Sequence, residues 1–120
     1  MKISRTIVVL DAADLDAVSS FWAGLLGGTV DKDDEWHRVS VDGDYRLAVQ
    51  FAPNHVAPEW PDGTPQQIHL DLWVEDLVPA HEEALSLGAR LLKPAENLDA
   101  AEGFQVYADP AGHPFCLCWG

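Results

Sequence analysis

The chain has 120 residues, 48% of them hydrophobic, and a formal net charge of −13 from 20 Asp and Glu against 7 Lys and Arg. That length points to one domain able to bury roughly two-thirds of its unfolded surface, with no run reaching the roughly 18 apolar residues of a membrane helix. The acidic balance argues against nucleic acid, which is held by clustered Lys and Arg, and favours cationic ligands.

Met1–Arg5 leads straight into an apolar run read as a strand over 4–10, so no secretory signal is expected. Asp14 is a good N-cap for a helix over Leu15–Leu26, with Asp16 in the first turn and Gly27 as the stop. Leu15, Val18, Phe21, Trp22, Leu25 and Leu26 form its apolar stripe. Strands follow near 28–32, 36–42 and 45–51, the last two joined by an Asp42-Gly43-Asp44 turn. Residues 53–65 hold four prolines and Gly63 and read as a linker. A strand over 66–74 leads to Asp76, Pro79 and a helix over Leu77–Leu87 stopped by Gly88. Its expected stripe is Leu77, Ala80, Ala84 and Leu87. Strands near 89–93, 104–108 and 114–119 complete the chain.

The second half therefore repeats the first at an offset of about 61 residues. The predicted fold class is α+β: two tandem βαβββ modules, 1–52 and 66–120, forming a cupped mixed β-sheet. A cup is a place for a ligand.

On the strand over 66–74, Gln67, His69, Asp71 and Trp73 share one face, and Ile68, Leu70, Leu72 and Val74 share the other. The aliphatic face should meet the helices, which leaves the His, Asp, Gln and Trp row facing the cup. Near the C-terminus, Cys116 and Cys118 alternate with Phe115, Leu117 and Trp119, which should face the helices. The cysteines are expected in the cup as reduced thiols, because neighbours on one strand face lie about 6.5–7 Å apart, at the edge of disulfide reach. Trp36, Trp60 and Trp73 could line the pocket, where aromatic faces hold planar or cationic ligands. Trp22 is expected in the core and His81 in solvent. His37 and His55 fall near strand edges and loops, and His113 in the last turn. No P-loop, G-x-G-x-x-G, H-E-x-x-H or G-x-S-x-G motif occurs.

Gln67-Ile68-His69-Leu70-Asp71-Leu72-Trp73-Val74-Glu75-Asp76-Leu77 resembles the glyoxalase-like branch of the vicinal oxygen chelate superfamily, the glyoxalase/bleomycin resistance protein/dioxygenase superfamily. Phe21–Gly27, Leu87–Arg90 and Val106–Leu117 resemble further segments of it, so the resemblance spans essentially the whole chain. It implies the glyoxalase/bleomycin resistance fold, a small-molecule ligand and a homodimer. In metal-using members one ligand comes from the first and last strand of each module. The resemblance places His69 on a metal-histidine position and Cys116 where such members carry Glu. Residues 4–10 offer no His, Asp or Glu, and Ala48 or Gln50 takes the remaining position.

No complete metal site and no cofactor are therefore expected. His69 and Cys116 are weak candidates, Gln50 is a poor third ligand, and Asp71 is placed about 7 Å along the strand from His69. The favoured reading is a cytoplasmic binding protein of the bleomycin-resistance type. Its ligand would meet Trp36, Gln50, Trp60, Gln67, His69, Asp71, Trp73, Cys116 and Cys118. The alternative is a lyase, isomerase or dioxygenase-type enzyme, either metal-dependent or using His69 as a general base beside Asp71.

Overall fold

A computed structural model describes all residues, 1–120. In chain order the elements are β1 (Val8–Ala12), α1 (Leu15–Leu26), β2 (Thr29–Lys32), β3 (Trp36–Val41), β4 (Asp44–Phe51), β5 (Leu70–Trp73), α2 (Leu77–Leu87), β6 (Arg90–Lys93), β7 (Gly103–Ala108) and β8 (Pro114–Trp119). This is the βαβββ order twice. The chain divides into two compact units, 1–55 and 56–120. Each holds a four-stranded mixed sheet, ordered β1-β4-β3-β2 in one and β5-β8-β7-β6 in the other. In both, the first strand runs parallel to the last and the other pairings are antiparallel.

The helices start and stop where their caps dictate. Asp14 accepts from the Ala17 N–H and Asp76 from the Val78 N–H, satisfying donors that a first helical turn leaves free. Gly27 and Gly88 sit at φ 69° and 114°, the left-handed region that ends a helix at little cost for glycine. Asp42 and Gly43 also have positive φ, as a tight two-residue hairpin between β3 and β4 requires.

Two strands differ from their sequence ranges by more than one residue at an end. The first begins at Val8 and runs on through Asp11, because its pairing with β4 spans Val8↔Leu47 to Ala12↔Phe51. The fifth is only Leu70–Trp73 rather than 66–74, its ladder opening at Leu70↔Phe115. One step earlier the ladder would meet Pro114, which has no N–H to donate. Ile68 therefore lies outside the strand and is exposed instead of meeting a helix.

The cores follow the predicted stripes unevenly. Helix α1 buries Leu15, Val18, Ser19, Phe21, Trp22 and Ala23, with the Phe21 and Trp22 rings edge to face at 5.4 Å. Helix α2 buries only Leu77 and Ala84; Ala80 and Leu87 are half-buried. In the second unit the bulk comes from the sheet, where Tyr107 and Phe115 stack at 5.5 Å and Leu117 is buried.

Each unit also ties its helix to its sheet through buried polar groups. In the first, Ser19 Oγ lies 2.8 Å from His37 Nδ1. In the second, His81 Nδ1 lies 2.8 Å from the Tyr107 hydroxyl, and the Gln105 amide donates to that hydroxyl at 2.7 Å. The Gln105 carbonyl in turn accepts from the Ala95 N–H. His37 is thus buried in a strand, and His81 is anchored and half-buried where a solvated residue was expected. Ser19 and His81 are both the fifth residue of their helix. Burial pushes the Tyr107 phenol above its usual range, with the Gln105 bond acting in the opposite sense.

The turn before β8 is held by one carboxylate. Asp109, fully buried at its side chain, accepts from the N–H groups of Ala111 and His113 and from His113 Nδ1 at 2.6 Å.

Candidate functional site

The register of β5 against β8 builds the site. Asp71 pairs with Cys116 and Trp73 with Cys118, so their side chains leave the sheet on one side. Leu70 and Leu72, on the other side, are the more covered residues of β5. His69, one step before the strand, keeps the alternation and joins the row. His69, Asp71, Trp73, Cys116 and Cys118 all line an open groove of about 700 Å³, completed by Glu102, Gly103, Phe104, Trp119 and Gly120.

Its polar centre is compact. His69 Nε2 lies 3.3 Å from Asp71 Oδ1, with both side chains close to half exposed. The ligating atoms of His69, Asp71 and Cys116 all fall within 4.8 Å of one another. This corrects the expectation that Asp71 stands too far along the strand to act with His69. The spacing of about 7 Å belongs to the backbone, whereas the carboxylate and imidazole reach towards each other. The Cys116 thiol is pushed up to about 12, by burial first, then by its hydrogen bond to Asp71 and the charge on that residue. Cys118 is raised by burial and by Asp71. Both are free thiols, and without further stabilisation of a thiolate they are poor nucleophiles.

The other sequence-selected residues are not among those that line this groove. Trp36 and Gln50 belong to the first unit, where they face each other across β3 and β4. Trp36 Nε1 donates to the Tyr45 hydroxyl at 3.2 Å, and Gln50 is exposed. Trp60 packs against Val106, Cys116 and Cys118 as part of a small apolar cluster. Gln67 is exposed in the segment before β5 and does not line the groove.

Trp119, Phe104 and Glu102 are groove residues that strand alternation did not pick out. Trp119 was expected to face the helix with Phe115 and Leu117. Instead its Nε1 donates to the Ala100 carbonyl at 3.0 Å and its ring covers Gly103. A Cβ at position 103 would sit 2.5 Å from that ring. The Gly103↔Trp119 pairing is the signal: a glycine opposite a large aromatic lets the ring fold over the backbone.

The resemblance implies a four-ligand metal centre drawn from both modules, and the first unit does not fit it. The N-caps Asp14 and Asp76 set the repeat offset, which puts Ile7 and Val9 at the positions of His69 and Asp71, and the pairing of Val9 puts Ala48 at the position of Cys116. The pairs Val9↔Ala48 and Asp71↔Cys116 occupy the same place in their ladders. None of the three first-unit residues is a metal ligand. In the second unit, an imidazole, a carboxylate and a thiol do converge, a donor set suited to a zinc-class ion.

A family model described as "Glyoxalase-like domain" matches residues 7–118. The chain belongs to this glyoxalase-like family. No curated protein matches the sequence. Among solved structures it is similar to the fosfomycin resistance protein FosX from Mesorhizobium loti, at 13% identity and TM-score 0.72, covering 100% of this chain and 94% of that one. It is also similar to a glyoxalase-related enzyme from Fulvimarina pelagi, at 21% identity and TM-score 0.71, covering 98% and 89%. A third is a glyoxalase/bleomycin resistance protein/dioxygenase family enzyme from Burkholderia phytofirmans PsJN, at 13% identity and TM-score 0.71, covering 94% and 95%. At these identities the likeness concerns the fold. No helix of this glyoxalase-like chain is long and apolar enough to cross a membrane.

Proposed function

We propose that this glyoxalase-like protein binds a small, cationic, partly aromatic molecule in the groove of its second unit and holds it by sequestration. The observation that carries this reading is the groove's lining. Trp73 and Trp119 supply aromatic surface, Asp71 and Glu102 supply negative charge, and no Lys or Arg is among the residues that line it, although the Lys93 ammonium lies 5.4 Å from the centre of the Phe104 ring. Aromatic faces and carboxylates together favour a cation, and the net charge of −13 raises its local concentration. The binding itself requires no cofactor. A homodimer in the cytoplasm completes the proposal. Exposed Ile68 and Trp73 give apolar surface for a second copy to cover, and the two free thiols suit a reducing compartment.

The 3.3 Å contact between His69 and Asp71 favours a second reading, an enzyme in which Asp71 orients His69 as a general base. One experiment addresses both. Tryptophan emission is followed while aromatic amines and their neutral analogues are titrated into the protein. Cationic members should quench, less so at high salt and less so in Trp73→Leu. A panel in which none binds, or in which neutral analogues bind equally, overturns the proposal. Recovery of the bound compound unchanged supports sequestration, and its conversion supports the enzyme.

A further inference from the structure

We propose that His69 Nε2, a carboxylate oxygen of Asp71 and Cys116 Sγ form a three-ligand site for a zinc-class divalent ion, built entirely within the second unit.

Parallel pairing of Asp71 with Cys116 puts a carboxylate and a thiol side by side on adjacent strands. His69 lies two residues before Asp71 on the same face, and its ring already meets the carboxylate at 3.3 Å. All three donor atoms lie within 4.8 Å of one another. Ligands about 2.0–2.3 Å from one ion stand up to about 4 Å apart in a tetrahedron. Only small side-chain rotations therefore separate the present arrangement from ligation, with no movement of the sheet.

The chemistry is balanced. Neutral imidazole, carboxylate and thiolate carry two negative charges against the two positive charges of the ion. Ligation displaces one proton, from Cys116 to solvent. Three protein ligands leave a fourth position, which opens onto the groove, the arrangement of zinc sites that accept an exchangeable ligand. Thiolate and imidazole favour zinc and its analogues over magnesium or calcium, which take oxygen ligands. Asp71 makes the site specific to this chain. It lies outside the ligand positions the family resemblance implies, and the repeat carries Val9 in its place. The ion site stands whether or not the groove also takes an organic cation.

The test uses the full chain, stripped with chelator and titrated with Co²⁺ alone. One equivalent should bind, give a thiolate-to-cobalt charge-transfer band in the near ultraviolet, and be displaced by Zn²⁺ with loss of that band. Cys116→Ser should abolish the band while Cys118→Ser keeps it. Asp71→Asn should keep the band but weaken Co²⁺ binding at least about tenfold, the scale on which support of a metal site is felt. Circular dichroism confirms that each variant is folded, and His69→Gln serves as the third ligand test should Cys116→Ser unfold. Absence of the band in the parent chain overturns the proposal. So does a band lost in Cys118→Ser, or an affinity unchanged in Asp71→Asn.

Discussion

The two units share one scaffold and differ at the positions that could do chemistry. Both run βαβββ, both set first strand against last in parallel, and both cap their helix with Asp and end it with Gly. One step before each parallel ladder, and at its second pair, the first unit carries Ile7 and then Val9 with Ala48, and the second His69 and then Asp71 with Cys116. A polar centre thus arises from three side-chain changes on an unchanged backbone plan. The units also put their cores in different places: α1 contributes Phe21 and Trp22, whereas α2 contributes Leu77 and Ala84 and leaves the aromatics to β7 and β8.

The strongest way to break this comparison is to truncate the two helices. Trp22→Ala should destabilise by about 3–5 kcal/mol, the range for burying and then deleting a large aromatic. Leu77→Ala should fall nearer the lower end of the range for leucine, about 2 kcal/mol. Urea denaturation midpoints give both, and equal losses would show that α2 is as central to its unit as α1.

The next effect sharpens the comparison of the polar ties. Tyr107→Phe keeps the stacked ring but removes the hydroxyl shared by His81 and Gln105, and should cost about 1–3 kcal/mol. It should also flatten the alkaline limb of the stability curve. In the folded chain burial holds the Tyr107 phenol above 10.0, so above that pH the unfolded state loses its proton first and stability falls. Below pH 10 the group contributes no slope. A series of urea titrations from pH 8 upward in parent and variant reads the difference directly.

The smallest effect is expected in the groove. His69→Ala removes a side chain that is about half exposed and paired only at the surface, and should shift stability by less than about 1 kcal/mol. A loss of several kcal/mol by thermal or chemical melting would assign His69 to the core instead of the groove.

Much of this molecule was legible in the sequence because it rests on local rules. The caps, the glycine stops and the period of the apolar stripes fixed both helices to the residue. Alternation along residues 69–73 put His69, Asp71 and Trp73 on one face. The reach of side chains was less legible. The convergence of Asp71 with His69 depends on rotamers that strand spacing does not specify. Ile68 left its expected place because Pro114 shortens the ladder, a fact visible only once the register is known. Trp119 broke the alternation because Gly103 opposite it left room for the indole, a choice made across strands. The ties through Ser19, His37 and His81 also cross from helix to sheet and leave no periodic trace.

The glycine beneath Trp119 has a bearing on how such a groove diversifies. Its wall is an indole resting in the space that a side chain at position 103 would fill, held at the rim by one hydrogen bond to Ala100. Even a methyl group there would meet the ring at 2.5 Å and force it to shift, with the residues His69, Asp71 and Cys116 unchanged. The position of this wall and the polar centre are therefore set by separate residues, so selection can tune one while conserving the other.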